Sequence, residues 1–304
     1  MAIQIQESGV LSLLQDRGRF GRHDIGLTTG GPLDLNAYRI CNKLLGNSEN
    51  STVIETTLGG LSITALADHV ICVTGAPVSM TVNDQSLPLW TCHKIKLGDR
   101  VSIRAGESGL RNYLGIAGGF NVKKTFGSTS TVLREGIGGT NGGKLASGDI
   151  LDCLSGDQQP LMRLSVEQYP SYPSQLSLRV VKGYQIDSFP EIDIVRFFSN
   201  RFQISDQCDR MGYRLSGPSI TSNCHALSSE GISLGAIQIP TDGQPIVLLN
   251  DRQTIGGYPK LGSVISLDIA KLSQLRPGDW VDFKPISIET AHNLLHLNEY
   301  FIQT

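Results

Sequence analysis

Short apolar runs recur along the chain between turn residues, and few of them extend to helical length. The chain contains 34 glycines, and only 6% of its residues are aromatic. This pattern favours strands over helices. It predicts strands at residues 3–6, 61–65, 69–74, 79–82, 100–104, 112–117, 178–182, 203–204, 236–239, 246–249, 263–266 and 280–283. So many short strands are typical of barrels or sandwiches.

Helices are predicted at a few peripheral positions. The clearest is 35–45, where Asp34 can cap the N-terminus, apolar side chains share one face, and Gly46 follows the last turn. Further helices are predicted over 192–198, 269–275 and 288–297. We therefore expect a mainly β protein with helices decorating a β core.

A segment of linker composition divides the chain near its middle. Residues 155–177 contain Gln-Gln-Pro and Tyr-Pro-Ser-Tyr-Pro-Ser. The predicted first domain covers 1–160 and includes an N-terminal segment, whose strand can alternatively pack on the second domain. The predicted second domain covers 175–304.

Charge and composition exclude several classes of partner. With 26 basic and 28 acidic residues, the net charge is -2, which gives no overall attraction to nucleic acid or anionic lipid. The chain has neither a signal-like start nor an apolar run long enough to span a membrane. Scattered cysteines and histidines lack metal-ligand spacing. We expect a cytoplasmic protein with no metal, no nucleic-acid partner and no membrane partner.

The most informative polar stretch follows the predicted strand at 246–249. The strand stops at Asn-Asp-Arg-Gln-Thr, which is followed by Gly256 and Gly257. A buried strand that places an acid, a base, an amide and a hydroxyl at its end suits a binding loop, and glycines let the backbone approach a ligand. Alternatively, this stretch is a polar turn in which Asp251 accepts hydrogen bonds from nearby backbone N–H groups.

Other polar groups also lie beside apolar runs. Residues 15–24 hold three arginines and two aspartates, which suit either an anion cradle or a solvated loop with exposed ion pairs. Residues 111–113 and 208–214 form similar clusters. Asp34 is more typical of a helix cap than of a catalyst. Residues 26–34 are rich in glycine but lack the lysine of a phosphate-binding Walker A loop.

Several motifs occur in a specific order along the chain. They are Gln15-Asp16-x-Gly18-Arg19, Gly31-Pro32-Leu33-Asp34, Glu55-Thr56-Thr57-Leu58-Gly59-Gly60, Thr74-Gly75-Ala76, Arg111-Asn112-Tyr113-Leu114-Gly115, Gly127-Ser128-x-Ser130-Thr131, Arg210-Met211-Gly212-Tyr213-Arg214, and Gly243-Gln244-Pro245 through Asp251-x-Gln253-Thr254-x-Gly256-Gly257-Tyr258-Pro259. The chain resembles the allophanate hydrolase subunit 2 family over roughly residues 3–285. That family includes the C component of the bacterial 5-oxoprolinase, the Kip antagonist protein and the carboxyltransferase domain of urea carboxylase.

The resemblance implies a fold, partners and a cofactor. The fold is two cyclophilin-like β-barrel domains with a cleft between them. The partners are a subunit 1-type homologue (the B component) and a LamB/YcsF-type protein (the A component), with a small amide as substrate. ATP is expected at a site shared with a partner, because the chain has no Walker A loop. The chain also lacks an Ala-Met-Lys-Met sequence, so no biotin is expected to be attached to it.

The resemblance also suggests roles for residues. An arginine such as Arg111, Arg210 or Arg252 would hold carboxylate or phosphate. Asp251 would orient the amide N–H or act as a base, while Gln253 and the amides of the two glycines would stabilise an oxyanion. The predicted catalytic residues are Asp251, Gln253 and Arg111; the predicted substrate-binding residues are Tyr113, Arg210, Tyr213, Arg252, Thr254, Gly256, Gly257 and Tyr258; further cleft candidates are Asp16, Arg17, Arg19 and Asp34.

Three functions are compatible with these residues. The first is the C component of an ATP-dependent 5-oxoprolinase, which would make the chain part of a hydrolase that converts 5-oxo-L-proline to L-glutamate. The second is a biotin-dependent carboxyltransferase component acting on urea or a similar amide. The third is a regulatory binding protein that resembles the Kip antagonist.

Overall fold

The computed structural model describes residues 1–156, 161–224 and 227–303. Strand accounts for 36% of the structure and helix for 18%, which confirms a mainly β fold. The chain divides into two compact units. The first comprises Met1–Gly21 and Thr29–Tyr172, and the second comprises Arg22–Thr28 and Pro173–Thr304. Part of the predicted linker, 157–160, lies outside the described residues.

The first unit contains two sheets and one α-helix among its described residues. Its strands are β1 Ala2–Ser8, β2 Leu11–Gln15, β3 Val53–Thr57, β4 Gly59–Ala65, β5 His69–Gly75, β6 Ser79–Val82, β7 Gln85–Leu87, β8 Cys92–Ile95, β9 Arg100–Arg104, β10 Arg111–Ile116 and β11 Ile150–Asp152. The six-stranded sheet has the order β11-β1-β4-β9-β6-β7, and the five-stranded sheet has the order β2-β3-β10-β5-β8. Apolar side chains from both sheets form one core, so the sheets pack face to face.

The N-terminal strand belongs to the first unit. Ile3 lies opposite Leu151 of β11 on one side and opposite Ala65 of β4 on the other. Ile3 and Ile5 are fully buried in the core of this unit. The alternative prediction, that this strand packs on the second domain, is therefore wrong, because both of its edges are hydrogen-bonded here.

Helix α1, Leu35–Leu44, packs on the five-stranded sheet. Its start confirms the predicted cap, since the backbone N–H of Ala37 donates to Asp34 Oδ1 at 3.0 Å. Close packing depends on Gly115 in β10. A Cβ at that position would lie 2.7 Å from Cys41 Sγ and 2.6 Å from a methyl of Leu45. Glycine thus allows the helix to approach the sheet.

The second unit is built on a closed seven-strand barrel of order β12-β19-β16-β17-β14-β13-β20. Its strands, with the short pair β15 and β18, are β12 Gln175–Lys182, β13 Phe202–Cys208, β14 Gly212–Ser216, β15 Glu230–Gly231, β16 Ala236–Gln238, β17 Ile246–Leu248, β18 Ile255–Gly256, β19 Lys260–Val264 and β20 Trp280–Ile286. Strands β12 and β20 pair in parallel, whereas the other barrel neighbours pair antiparallel.

Helices of the second unit confirm the predicted positions with shifted ends. They are α2 Glu191–Ser199, α3 Ser266–Leu272 and α4 Ile288–Gln303. Helix α2 docks through Phe197, whose ring stacks on Phe283 of β20 at 4.3 Å and lies 5.5 Å from the ring of Phe202 in β13. No helix within the described ranges is long and apolar enough to cross a membrane.

We expect Phe197→Ala to lower the free energy of unfolding by about 3 to 5 kcal/mol, because it removes a fully buried ring and leaves a cavity. Val195→Ala on the exposed face of the same helix should change it by about 0.5 kcal/mol or less. Chemical denaturation followed by circular dichroism measures both. Equal effects of the two substitutions would contradict docking through Phe197.

Candidate functional site

The loop after β17 is anchored by a buried ion pair. Arg210 donates from Nε to Asp251 Oδ2 at 2.9 Å and from Nη2 to Oδ1 at 3.0 Å. The backbone N–H of Asp251 also donates to the carbonyl of Arg210 at 2.9 Å. Both side chains are buried. Since Arg210 precedes β14 and Asp251 follows β17, the pair ties together the ends of two neighbouring strands.

This geometry supports a structural role for Asp251. Both carboxylate oxygens accept from Arg210, and a bidentate pair of this kind fixes the positions of both side chains. The arginine contacts occupy one lone pair on each oxygen, so a base role would have to use the remaining lone pairs of this buried carboxylate. The predicted catalytic role of Asp251 and the predicted substrate contact of Arg210 remain predictions.

Two other predicted substrate-binding residues also make internal contacts. Arg252 donates from Nε to the carbonyl of Ile232 at 3.0 Å, and burial lowers its pKa. The hydroxyl of Tyr213, fully buried, donates to the carbonyl of Ser273 at 3.2 Å. These contacts hold the loop against Ile232, which directly follows β15, and hold the end of α3 against the barrel.

The second half of the loop is more open. Gln253, Thr254, Gly256 and Gly257 are half-buried, and Tyr258 is exposed. Residues from Gly257 to Pro259 line a pocket of about 450 Å³, together with residues 220–222, Cys224, Leu227 and 239–241. Of the predicted binding loop, this end is the part that a ligand can reach.

A polar cluster that the sequence reasoning missed lies beside this open end. We define the Lys260 cluster as Tyr184, Gln185, Glu230, Gln238 and Lys260. The Lys260 ammonium contacts Glu230 Oε1, which also accepts from Gln185 Nε2 at 2.7 Å. The Tyr184 hydroxyl donates to Glu230 Oε2. Gln238 is paired with Lys260 in the register of β16 and β19.

Charges within the Lys260 cluster affect one another. The Lys260 ammonium and the Tyr184 hydroxyl lower the pKa of Glu230, and the Glu230 carboxylate raises the pKa of Tyr184.

Two signals in the sequence could have pointed to the Lys260 cluster. They are a lysine that opens a buried strand directly after Gly-Gly-Tyr-Pro, and a glutamine between Ile237 and Ile239.

In the first unit, the predicted anion cradle is filled by the chain itself. Asp16 accepts from the hydroxyls of Ser128 and Ser130 at 2.5 and 2.8 Å and from the backbone N–H of Thr129 at 2.9 Å. Arg19 donates from Nε to the carbonyl of Thr125 at 3.0 Å and from Nη2 to that of Ser130 at 3.1 Å. Both side chains are buried, and they hold residues 125–130 in place.

Arg17 differs from these two residues because it is exposed. Its Nη1 lies 3.1 Å from Glu49 Oε2, in an ion pair that water can screen. It therefore fits the alternative interpretation of this segment as a solvated loop.

The remaining candidates of the first unit form a buried network around Glu55. The Tyr113 hydroxyl donates to Glu55 Oε2 at 2.8 Å and accepts from the backbone N–H of Asp34 at 2.7 Å. Asp34 Oδ2 accepts from the Tyr172 hydroxyl at 3.1 Å. Arg111 Nε lies 4.0 Å from Glu55 Oε1. Burial and the Glu55 charge raise the pKa of Tyr113, so this tyrosine stays protonated.

The network thus brings together Arg111, Tyr113 and Asp34, and it adds Glu55, which the sequence reasoning did not select. The signal for Glu55 in the sequence was an acidic residue inside strand β3.

Within residues 1–156, 161–224 and 227–303, no group of three or more His, Cys, Asp or Glu residues could hold a metal ion.

We expect Asp251→Asn to lower the free energy of unfolding by about 3 kcal/mol or more, because Arg210 would lose its charged partner while still buried. Asp242→Asn is the matched control. Asp242 pairs with Arg214 at the surface, so its loss should cost about 1 kcal/mol or less. Thermal and urea unfolding measure both. Similar stability of the two variants would contradict the anchoring role and would restore the catalytic interpretation of Asp251.

Comparison with known proteins places this architecture in a family. The model of the carboxyltransferase domain, subdomain A and B, matches residues 25–285. The 5-oxoprolinase C subunit of Escherichia coli K12 is 35% identical over 292 residues, which cover 95% of this chain and 93% of that protein. The corresponding C subunit of Haemophilus influenzae is 33% identical over 95% of this chain and 93% of its own length.

Larger proteins contain a similar unit. The crystal structure of the Kluyveromyces lactis urea carboxylase superposes with a TM-score of 0.92 at 30% identity, covering 99% of this chain and 29% of that chain. Urea amidolyase from Saccharomyces cerevisiae is 32% identical over the whole chain, which corresponds to 18% of that protein. The chain belongs to the family defined by the carboxyltransferase domain, subdomains A and B.

Proposed function

We propose that the chain is the C component of an ATP-dependent 5-oxoprolinase, which opens 5-oxo-L-proline to L-glutamate. The observation that carries this proposal is the alignment along nearly the whole length of two 5-oxoprolinase C subunits. In the urea amidolyases the similar unit is a small part of a larger protein. The coverage therefore favours the oxoprolinase function.

The activity is proposed to require partners. The similar 5-oxoprolinase proteins are named as subunits, which belong to assemblies. We propose a subunit 1-type homologue (the B component) and a LamB/YcsF-type protein (the A component) as the partners of this chain. The second unit exposes Tyr184, Ile255 and Tyr258. Exposed aromatic and aliphatic side chains of this kind are enriched where proteins meet other molecules.

Opening the lactam needs activation of a stable amide. ATP would transfer its γ-phosphoryl group to the lactam oxygen and release ADP. Water would then add to the ring carbonyl carbon, and the C–N bond would break as the nitrogen takes a proton. A second water would hydrolyse the resulting acyl phosphate to the carboxylate and phosphate. The chain has no Walker A loop, so ATP is proposed to bind at a site shared with a partner. The half-buried Gln253 side chain and the amides of Gly256 and Gly257 are the proposed donors to the oxygen that the added water contributes, which develops negative charge and is distinct from the lactam oxygen.

A carboxyltransferase is the second candidate function. It is favoured by the family model and by the superposition on urea carboxylase over almost the entire chain. The chain contains no Ala-Met-Lys-Met sequence, so the carboxylated biotin would come from another protein.

We expect the isolated chain to hydrolyse little or no 5-oxoproline, and we expect turnover to glutamate when both proposed partners and ATP are added. Glutamate release measured by a coupled assay tests this, with a mixture lacking ATP as the control. Robust hydrolysis by the chain alone would contradict the composite site. An inactive complete mixture that carboxylates urea from carboxybiotin would favour the second candidate.

A further inference from the structure

The Lys260 cluster lies at one end of the second-unit barrel. Strand β19 begins at Lys260, β16 ends at Gln238, and Tyr184 and Gln185 follow directly after β12. Glu230 lies opposite Gly256 in the pairing of β15 and β18. Side chains from distant parts of the chain therefore converge where a barrel commonly binds small molecules.

The inner side of the cluster has hydrogen-bond donors in excess. Gln238 is only 1% exposed, and its Nε2 has no acceptor among the residues that the structure describes. Lys260 is 9% exposed, and its ammonium contacts Glu230 while its further N–H groups find no acceptor in the same described ranges. Buried donors without acceptors are unfavourable, and few occur in folded proteins. Two such donors on neighbouring strands suit a ligand oxygen.

Gly256 lets the loop lie directly against these donors. A Cβ at that position would lie 3.0 Å from Gln238 Nε2 and 2.7 Å from a methyl of Ile232. Gly256 is itself half-buried and lies against the buried amide nitrogen of Gln238. A side chain at this position would displace the glutamine.

The outer side of the cluster supplies an acceptor. The Glu230 side chain is 33% exposed, and one of its oxygens is held by the hydroxyl of Tyr184, a residue that is 76% exposed. An exposed side chain loses little when it exchanges a hydrogen bond for water. The contact from Tyr184 can therefore be replaced by the N–H group of a ligand.

We propose that the Lys260 cluster binds the amide group of a compact lactam or urea. Glu230 accepts the amide N–H in place of the Tyr184 hydroxyl, and Lys260 and Gln238 donate to the carbonyl oxygen. In a lactam or urea the N–H and C=O groups point to the same side, so a neighbouring acceptor and donor pair matches both, whereas an open-chain trans amide directs them apart. The assignment of 5-oxoproline as this amide rests on the proposed function.

The test compares Glu230→Gln with Tyr184→Phe in the reconstituted complex. We expect Glu230→Gln to raise the KM for 5-oxoproline by about 10- to 100-fold, because it replaces a charged acceptor. Tyr184→Phe should lower the KM by roughly two- to fivefold, since it removes a competing donor. If Glu230 and Tyr184 had only structural roles, both substitutions would change the KM in the same direction. Glu7→Gln neutralises a carboxylate that pairs with Arg100 on the first unit and is the matched control.

A second experiment measures amide binding directly, without depending on catalysis. Saturation-transfer NMR on the chain alone uses 2-pyrrolidone, urea and N-methyl-2-pyrrolidone as probes, with circular dichroism to verify folding of each variant. We expect the first two to bind, the N-methyl compound to fail, and Glu230→Gln to lose binding.

The outcomes separate this inference from the proposed function. An active complex whose KM is unchanged by Glu230→Gln would overturn the amide site and leave the oxoprolinase function intact. An inactive complex whose isolated chain binds the amides through Glu230 would support the site while the proposed function fails. Absence of amide binding, or equal binding of the N-methyl compound, would overturn the site.

Discussion

The need to pair buried charge determines which polar residues of this chain are available to a ligand. A charge removed from water is stable only with a partner and with its hydrogen bonds satisfied. Arg210 and Asp251 pair with each other in this way, and Asp16 and Arg19 hydrogen-bond to the segment they hold. The most conspicuous charged motifs are thus part of the framework. The Lys260 cluster combines a half-exposed carboxylate, Glu230, with a buried Gln238 amide nitrogen that has no acceptor among the described residues.

Much of the fold could be predicted from the hydrophobic pattern. Strands such as β6 and β9 were predicted with correct ends because they are bounded by turn residues. Strand β3 was missed because Glu55 and its polar neighbours conceal a strand in which four of five residues are buried. Strand β14 was missed because its arginine and flanking glycine resemble a loop. In both cases the polar side chains find partners distant in the sequence, Tyr113 for Glu55 and Asp242 for Arg214, which a local pattern does not reveal.

The location of the candidate site was easier to predict than the roles of its residues. The loop at 251–258 was identified from the strand that stops at polar residues, and its glycine end does line a pocket. The role of Asp251 depends on Arg210, 41 residues earlier in the sequence. Lys260 likewise depends on Gln185, 75 residues away, and on Glu230. Such partners are brought together by strand register, so the sequence around each residue gave no indication of them.

A crystal structure of the chain with 5-oxoproline tests whether amide recognition occurs at the Lys260 cluster while Asp251 holds the framework. We expect the lactam N–H to lie within about 3 Å of Glu230, the Tyr184 hydroxyl to have left the carboxylate, and the Arg210–Asp251 pair to be intact. A lactam bound to Asp251, with that ion pair separated and the Lys260 cluster unchanged, would contradict these expectations.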